Sequence, residues 1–305
     1  MMETHSKSPN LADVALLPPE KNLELTLDEV GLENVQTQIR LEGLMLPANA
    51  LATVSLVDKR SRGIHMSRMF RVLNSLYEHE LTWNWLHQGL EEMLLTHQGL
   101  SDAAVLSVSF DFPVLRSGLV SGLPGWRNYP VTYRVARKND QVTSTLETRV
   151  LYSSTCPCSA SLSRQAIQAK FREDFPDGDF HREQVLEWLG QSTSMAALPH
   201  SQRSQALCQF VLNPKEPAPS TLSLIDTVEA ALGTPVQAAV KREDEQEFAR
   251  LNARHLMFCE DAARKIKAAL LPRPELSDFA IEVRHFESLH PHDVVAKVRK
   301  HDAFS

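Results

Sequence analysis

Strand-like and helix-like periodicities follow one another along these 305 residues as strands, helix, strands, helices, strand, helices and strands. That order belongs to an α+β protein built on antiparallel sheet, not to regular βαβ repetition. Two further observations agree. Turn chemistry at Gly122 to Gly125 and at Asn139-Asp140 joins successive strand patterns by short connections, as in a meander. The 11 glycines are scattered, and neither GxGxxG nor GxxxxGK occurs, so no phosphate-cradling loop of the nucleotide-binding βαβ kind is present.

Residues 1–25 mix Ser, Pro, Asn, Glu and Lys with little apolar periodicity and read as a flexible N-terminal arm. Val35, Thr37, Ile39 and Leu41 then alternate with polar residues, and Leu51 to Val57 is rich in Val, Leu and Thr, which predicts two antiparallel strands. Between Ser67 and His97, Met69, Val72, Leu73, Leu76, Leu86, Leu90 and Met93 recur at helical steps. They predict a long helix capped by Ser67 and broken near Thr82. Ala104 to Arg116, Tyr129 to Ala136 and Val142 to Tyr152, rich in Val, Thr, Tyr and Leu, read as the meander. After a Cys-Pro-Cys element, Leu162 to Phe175 and His181 to Leu189 read as helices on either side of Pro176-Asp177-Gly178. Ser204 to Leu212 reads as a strand, Ser220 to Leu232 as a helix, Glu243 to Leu271 as one long helix, and Phe279 to His285 and Val294 to Val298 as closing strands. Two modules of about 140 residues fit this order, although no internal repeat is visible.

The chain is 43% apolar and 23% charged, ample for a substantial core in one large domain or two smaller modules. Its 32 Lys and Arg against 38 Asp and Glu give a net charge of -6, which supplies no basic field for sequence-independent binding to nucleic acid or membrane. No apolar run approaches the roughly 18 residues of a membrane helix, and Met1 to Asn10 is polar, so the expected location is cytoplasmic. Four cysteines are too few for a secreted disulfide framework and are expected to be reduced thiols.

Six clusters hold residues capable of chemistry. Cys156-Pro157-Cys158 falls between a strand end and a helix start, where backbone amides and the helix dipole lower a thiol pKa. A thiolate there binds metal or attacks a substrate; the alternative is a cysteine packed under a turn. His200-Ser201-Gln202-Arg203-Ser204 sets a histidine and an arginine beside a strand, or else in a solvated loop. Lys241-Arg242-Glu243-Asp244-Glu245 is equally a charged helix start. Glu260-Asp261 adjoins the apolar Phe258-Cys259 and sits at a boundary or in a pocket. Glu287 to Asp293 holds His290 and His292 in HxH spacing, suited to a metal or to a surface turn. Arg62, His65 and Arg68 precede a helix and suit an anion or an electrostatic cap. An unbroken helix from Glu245 to Glu260 would separate these glutamates by roughly 22 Å, too far for one small-molecule site within a subunit. Either the helix starts after Glu245 or the sites lie between subunits.

In this order RGIHMSR, CPCS, HSQRS, KREDE, FCED and ESLHPHD resemble the GTP cyclohydrolase type IB family, from about Asp28 to Ala296. The resemblance implies the tunnelling fold, two tandem ββααββ-type modules with antiparallel sheets and helices on one face. On this sequence the modules would be 26–155 and 156–305, the second with a helical insertion at about 169–198. It implies a homotetramer with active sites at subunit interfaces. The implied activity is conversion of GTP to 7,8-dihydroneopterin triphosphate and formate, the entry to tetrahydrofolate and pterin biosynthesis, with a divalent metal such as zinc or manganese. Carried over by motif, Cys156, His200 and Glu245 look like metal ligands, with His290 beside them; Cys156, His200 and His290 are the catalytic set. Glu260 resembles the carboxylate that anchors guanine, accepting from N1-H and the exocyclic amine. Such a metal lowers the pKa of water for attack at purine C8, and a histidine shuttles protons during ring opening. Arg62, His65, Arg68, Arg203, Lys241 and Arg242 are candidates for the substrate's triphosphate. Cys158, Glu287 and His292 are expected to flank the metal site.

In one respect the sequence departs from the family pattern. Shorter members set the HSQRS-like motif about a dozen residues after the first cysteine, whereas Cys156 and His200 are 44 apart here. The two ligands still meet if the intervening segment is an excursion. Two other readings are a deazaguanine nitrile reductase of the same fold, in which a cysteine forms a thioimide and NADPH supplies hydride, and a catalytically silent metal-binding oligomer. The dispersed metal-ligand set has no place in the first, and the second would have no need of Glu260.

Overall fold

A computed structural model describes residues 18–20, 23–176 and 178–301. Most of the expected N-terminal arm (1–17, 21 and 22), the loop residue 177 and residues 302–305 lie outside the described residues. Eight strands hydrogen-bond in chain order, β1 (Leu27–Leu41), β2 (Leu44–Leu56), β3 (Ala103–Ser117), β4 (Pro124–Lys138), β5 (Gln141–Thr155), β6 (Ser201–Leu212), β7 (Leu276–His285) and β8 (Val294–Arg299). Seven α-helices accompany them among the described residues. The α+β expectation holds, and none of these helices is long and apolar enough to cross a membrane.

The described residues divide into two compact units, and β3, β4 and β5 contribute to both. The first comprises the described residues up to Asp111 and Pro130–Leu146. Its β1–β2 hairpin is longer than the alternation suggested, because Glu42 and Gly43 take positive φ (51° and 78°) and make the tight turn. Ala48, Ala50, Ala52, Val54 and Leu56 line the buried face of β2. The long helix expected between Ser67 and His97 is two, α1 (Met66–Asn74) and α2 (Trp83–Thr96), joined through a 3-10 turn at Ser75–Tyr77. The break falls at Thr82 as expected, since its hydroxyl accepts the Trp85 N–H at 3.1 Å. Ser67 is not the cap of α1: the helix begins two residues earlier, and His65 holds the N-cap position without a side-chain bond.

The second unit comprises Phe112–Tyr129 and the described residues from Glu147 onward. Its core includes Leu224, Ile225, Val228 and Leu232 of α5 (Thr221–Leu232), all fully buried; each contributes roughly 1.5–3 kcal/mol. A second cluster gathers around α5, where buried Glu229 accepts from Tyr129 (2.6 Å) and Arg127 (2.7 Å). The single helix expected from Glu243 to Leu271 is also two, α6 (Arg242–Arg254) and α7 (Cys259–Leu270). Periodicity alone did not reveal the break, because apolar residues continue through it at helical spacing. Asp261 restarts the helix by accepting the Phe258 N–H at 3.1 Å, and Met257 N–H bonds to Thr155 O at 3.2 Å. The His255 ring in the break packs where a Cβ on Gly233 would stand, 2.6 Å from it, and Gly233 takes φ +79° to end α5. With the helix broken, the separation computed for an unbroken one no longer constrains Glu245 and Glu260.

The segment expected at 169–198 begins inside α3 (Pro157–Asp174), which starts directly after Cys156, and continues through α4 (Arg182–Gly190) and a 3-10 turn at Ser192–Ser194. Phe171, Phe175, Phe180 and Trp188 pack edge-on into a small aromatic core of their own, and the Trp188 indole N–H donates to Asp174 at 2.7 Å. The chain then returns to its starting point.

Candidate functional site

The return is direct: the Cys156 N–H points at the His200 carbonyl (3.4 Å), and the His200 N–H donates to Ser159 Oγ at 3.1 Å. The 44-residue spacing is therefore an excursion, and the first two candidate ligands stand on neighbouring strand ends. Cys156 is half-buried at the N-cap position of α3, with its side chain making no capping bond and Pro157 at the first helical position. Cys158, one residue further into α3, is exposed.

Glu287, just past the end of β7, joins them. One of its oxygens is 4.0 Å from His200 Nε2 and the other accepts from Gln202 Nε2 at 3.5 Å. The glutamate side chain is 10% exposed and the histidine 26%. The Met257–Thr155 bond draws the α6–α7 break to this end of β5, one residue from Cys156. Glu260 follows, exposed, in the first turn of α7. Next to it, Cys259 is buried with its thiol near the carbonyls of Val283 and Val294, and burial pushes that thiol up to about 11.

Beneath these residues lies a seam of polar side chains, buried apart from that of Ser201. Thr155 and Ser201 hydroxyls are 2.6 Å apart, and those of Ser154 and Ser204 are 2.7 Å apart. Tyr152 OH is 2.8 Å from His285 Nε2, with both side chains buried. Burial holds the His285 imidazole down to about 4, with the Glu260 charge opposing the shift. The ring is therefore neutral near pH 7 and shares one hydrogen bond with the tyrosine hydroxyl.

The remaining candidates stand elsewhere. Glu245, Lys241 and Arg242 are exposed at the start of α6. The buried residue of that motif is Asp244, which accepts from the N–H groups of Val120, Ser121 and Lys241 (2.8–2.9 Å) and from Ser121 Oγ (2.6 Å). These bonds hold its carboxyl below the ordinary range. His290 and His292 are exposed in the β7–β8 turn and stack on each other, centroids 5.1 Å apart. Arg203 is exposed on β6. Arg62, His65 and Arg68 belong to the first unit; Arg62 is exposed, and the Arg68 guanidinium donates to Thr96 O at the end of α2.

The structure thus sets the Cys156 backbone beside that of His200 and the Glu287 carboxylate 4.0 Å from the His200 ring, with Glu260 in the first turn of α7. Among the described residues no three His, Cys, Asp or Glu side chains of this one chain gather as a metal cluster. Sequence reasoning passed over Asp244, Tyr152, His285 and the paired serines. Asp244, three residues after an N-cap position, had a readable capping signal. The Tyr152–His285 pair joins residues 133 apart and left none.

The sequence matches the family described as Type I GTP cyclohydrolase folE2 over residues 11–296. A GTP cyclohydrolase FolE2 from Hydrogenovibrio crunogenus is 44% identical over 287 residues, 92% of each chain. Another, from Chromohalobacter salexigens, is 44% identical over 296 residues, 97% of this chain and 96% of its own. Among solved structures, a uricase from Arthrobacter globiformis aligns over 92% of this chain and 96% of its own with a TM-score of 0.50 at 8% identity. Urate oxidase from Bacillus sp. TB-90 aligns over 89% and 98% with a TM-score of 0.52 at 8% identity. At such identity the likeness concerns the fold alone, and it agrees with the tunnelling fold. By the extent of the family match and of the two curated relatives, the chain belongs to the type I GTP cyclohydrolase folE2 family.

Proposed function

We propose that this chain is a GTP cyclohydrolase of type IB, hydrolysing GTP at C8 to 7,8-dihydroneopterin triphosphate and formate at the start of cytoplasmic tetrahydrofolate and pterin synthesis. Beyond membership of the family, one observation carries the reading. The excursion between Cys156 and His200 closes on itself, so the thiol and imidazole motifs meet at one end of the sheet.

A mixed set of thiol, imidazole and carboxylate donors suits a divalent ion, with zinc and manganese both suited to the mixture. We assign Cys156, His200, Glu245 and His290 to hold it. When bound, the metal supplies Lewis acidity for the attack of water on the purine. Glu260 accepts hydrogen bonds from guanine N1-H and the exocyclic amine and so sets the face of the purine that is presented. Glu287 attracts and orients the His200 imidazole, while His290 moves protons as the ring opens. Arg203, Lys241 and Arg242, with Arg62, His65 and Arg68, supply positive charge for the triphosphate. Cys158 and His292 flank the ligand positions. Glu245, Glu260, His290 and His292 are exposed on the single chain, where a neighbouring copy can reach them. That supports a homotetramer with interfacial sites.

The test is to incubate protein reconstituted with zinc or manganese with GTP and to measure formate and a fluorescent oxidised pterin, with EDTA as control. EDTA-sensitive release of both products is expected. Protein that binds GTP and releases neither product would favour the silent metal-binding relative.

A further inference from the structure

In the second unit Tyr152 of β5 reaches His285 of β7 across the intervening strand β6. Two strand spacings, roughly 10 Å, separate β5 from β7, so the contact requires two long side chains and a small residue between them. Ser204 is that residue. It pairs in register with His285, is fully buried, and its hydroxyl is 2.7 Å from that of Ser154.

The bridge lies on the same three strands whose ends carry or adjoin the candidate site residues. Cys156 follows Tyr152 by four residues, His200 precedes Ser204 by four, and Glu287 follows His285 by two. A buried hydroxyl and imidazole that lose one another are costly to leave unpaired, so the bridge tightly couples the positions of the strand ends.

We propose that Tyr152, Ser204 and His285 form a positioning device which fixes the ends of β5, β6 and β7, and with them Cys156, His200 and Glu287, for the reaction. The inference rests on the reading of that site as catalytic. Neither Tyr152 nor His285 is solvent-accessible enough to touch substrate, since they are 0% and 4% exposed. They act through the strands.

The decisive measurement compares iodoacetamide alkylation of Cys156 and Cys158 in metal-free protein, read by mass spectrometry. General loosening of the fold moves both cysteines together, whereas loss of the bridge changes Cys156 relative to Cys158. In Tyr152→Phe the ratio of the two rates is expected to shift at least about threefold, and kcat to fall by at least that factor with KM for GTP unchanged. His285→Gln keeps an acceptor for the tyrosine and is expected to hold the wild-type ratio, while His285→Leu reproduces Tyr152→Phe. An unchanged ratio in Tyr152→Phe overturns the proposal. Should that variant not fold, equal ratios in the Gln and Leu variants of His285 overturn it. Wild-type protein without turnover whose ratio still shifts on substitution would sink the cyclohydrolase reading and leave the positioning device standing.

Discussion

The strand ends around Cys156 and the first turn of α6 are both dense in polar residues, and they use them in opposite ways. At the strand ends the buried polar groups, Tyr152, Ser154, Ser204 and His285, form a floor, and the residues with chemistry emerge at its rim. In α6 the buried group is a single carboxylate, Asp244, which is saturated by four hydrogen bonds, while Glu245 next to it is exposed. Consecutive helical residues point about 100° apart, so one acidic residue of a run can serve the fold and its neighbour a ligand. Charge density therefore marks a segment as important without saying which residue does what.

The contrast can be broken most directly at the rim. Cys156→Ala is expected to lower turnover by roughly a thousandfold or more, with the melting temperature near wild type; a formate assay beside thermal unfolding reads both, and an active variant removes Cys156 from the site.

Acid separates the two regions next. The His285 imidazole is lowered from its ordinary 6.5 to about 4, so the unfolded chain binds the extra proton first and stability declines as pH falls between those values. The loss is about 3 kcal/mol. Asp244 is lowered from an ordinary 3.8, so its contribution persists through that window and is lost only below it. Urea unfolding across a pH series should show a decline above pH 4 that His285→Gln flattens. A wild-type curve flat from 6.5 to 4 would contradict the burial of His285.

A smaller effect is expected at Glu260. Glu260→Gln should raise KM for GTP roughly tenfold to a hundredfold while bound metal is unchanged, since one acceptor for two guanine donors is replaced by an amide. Loss of metal with KM intact would make Glu260 a ligand instead. The smallest effect is expected at the exposed neighbour of the rim: Cys158→Ser should keep turnover within about threefold, in line with a peripheral thiol. A loss comparable to that of Cys156→Ala would exchange their roles.

Much of the architecture could be read from periodicity. The strands from Ala103 onward, the Thr82 break, the helix expected from Ser220 to Leu232 and the pair of helices after Cys-Pro-Cys all appear within a few residues of their expected places. The longer α6–α7 run misled for a local reason: its break is made by Asp261 capping and by Met257 bonding to β5, while the apolar spacing runs on through it. Six short motifs in order pointed to the family and to Cys156, His200 and Glu260. They named Glu245 as the ligand of its motif and passed over Asp244, whose burial and bonds to the Val120–Ser121 turn depend on contacts more than 120 residues away.

By itself the sequence determined the alternation of strands and helices, the acidic balance that disfavours nucleic acid, and the residue types from which the site is made. These follow from local sterics, side-chain period and charge, all properties of neighbours along the chain. Tertiary structure decided that a 44-residue detour closes so that Cys156 meets His200, that the α6–α7 break lies against β5, and that Tyr152 finds His285 across 133 residues. Each of these depends on which distant groups share a buried space, where an unpaired polar atom costs more than in water, and local sequence carries no record of that choice.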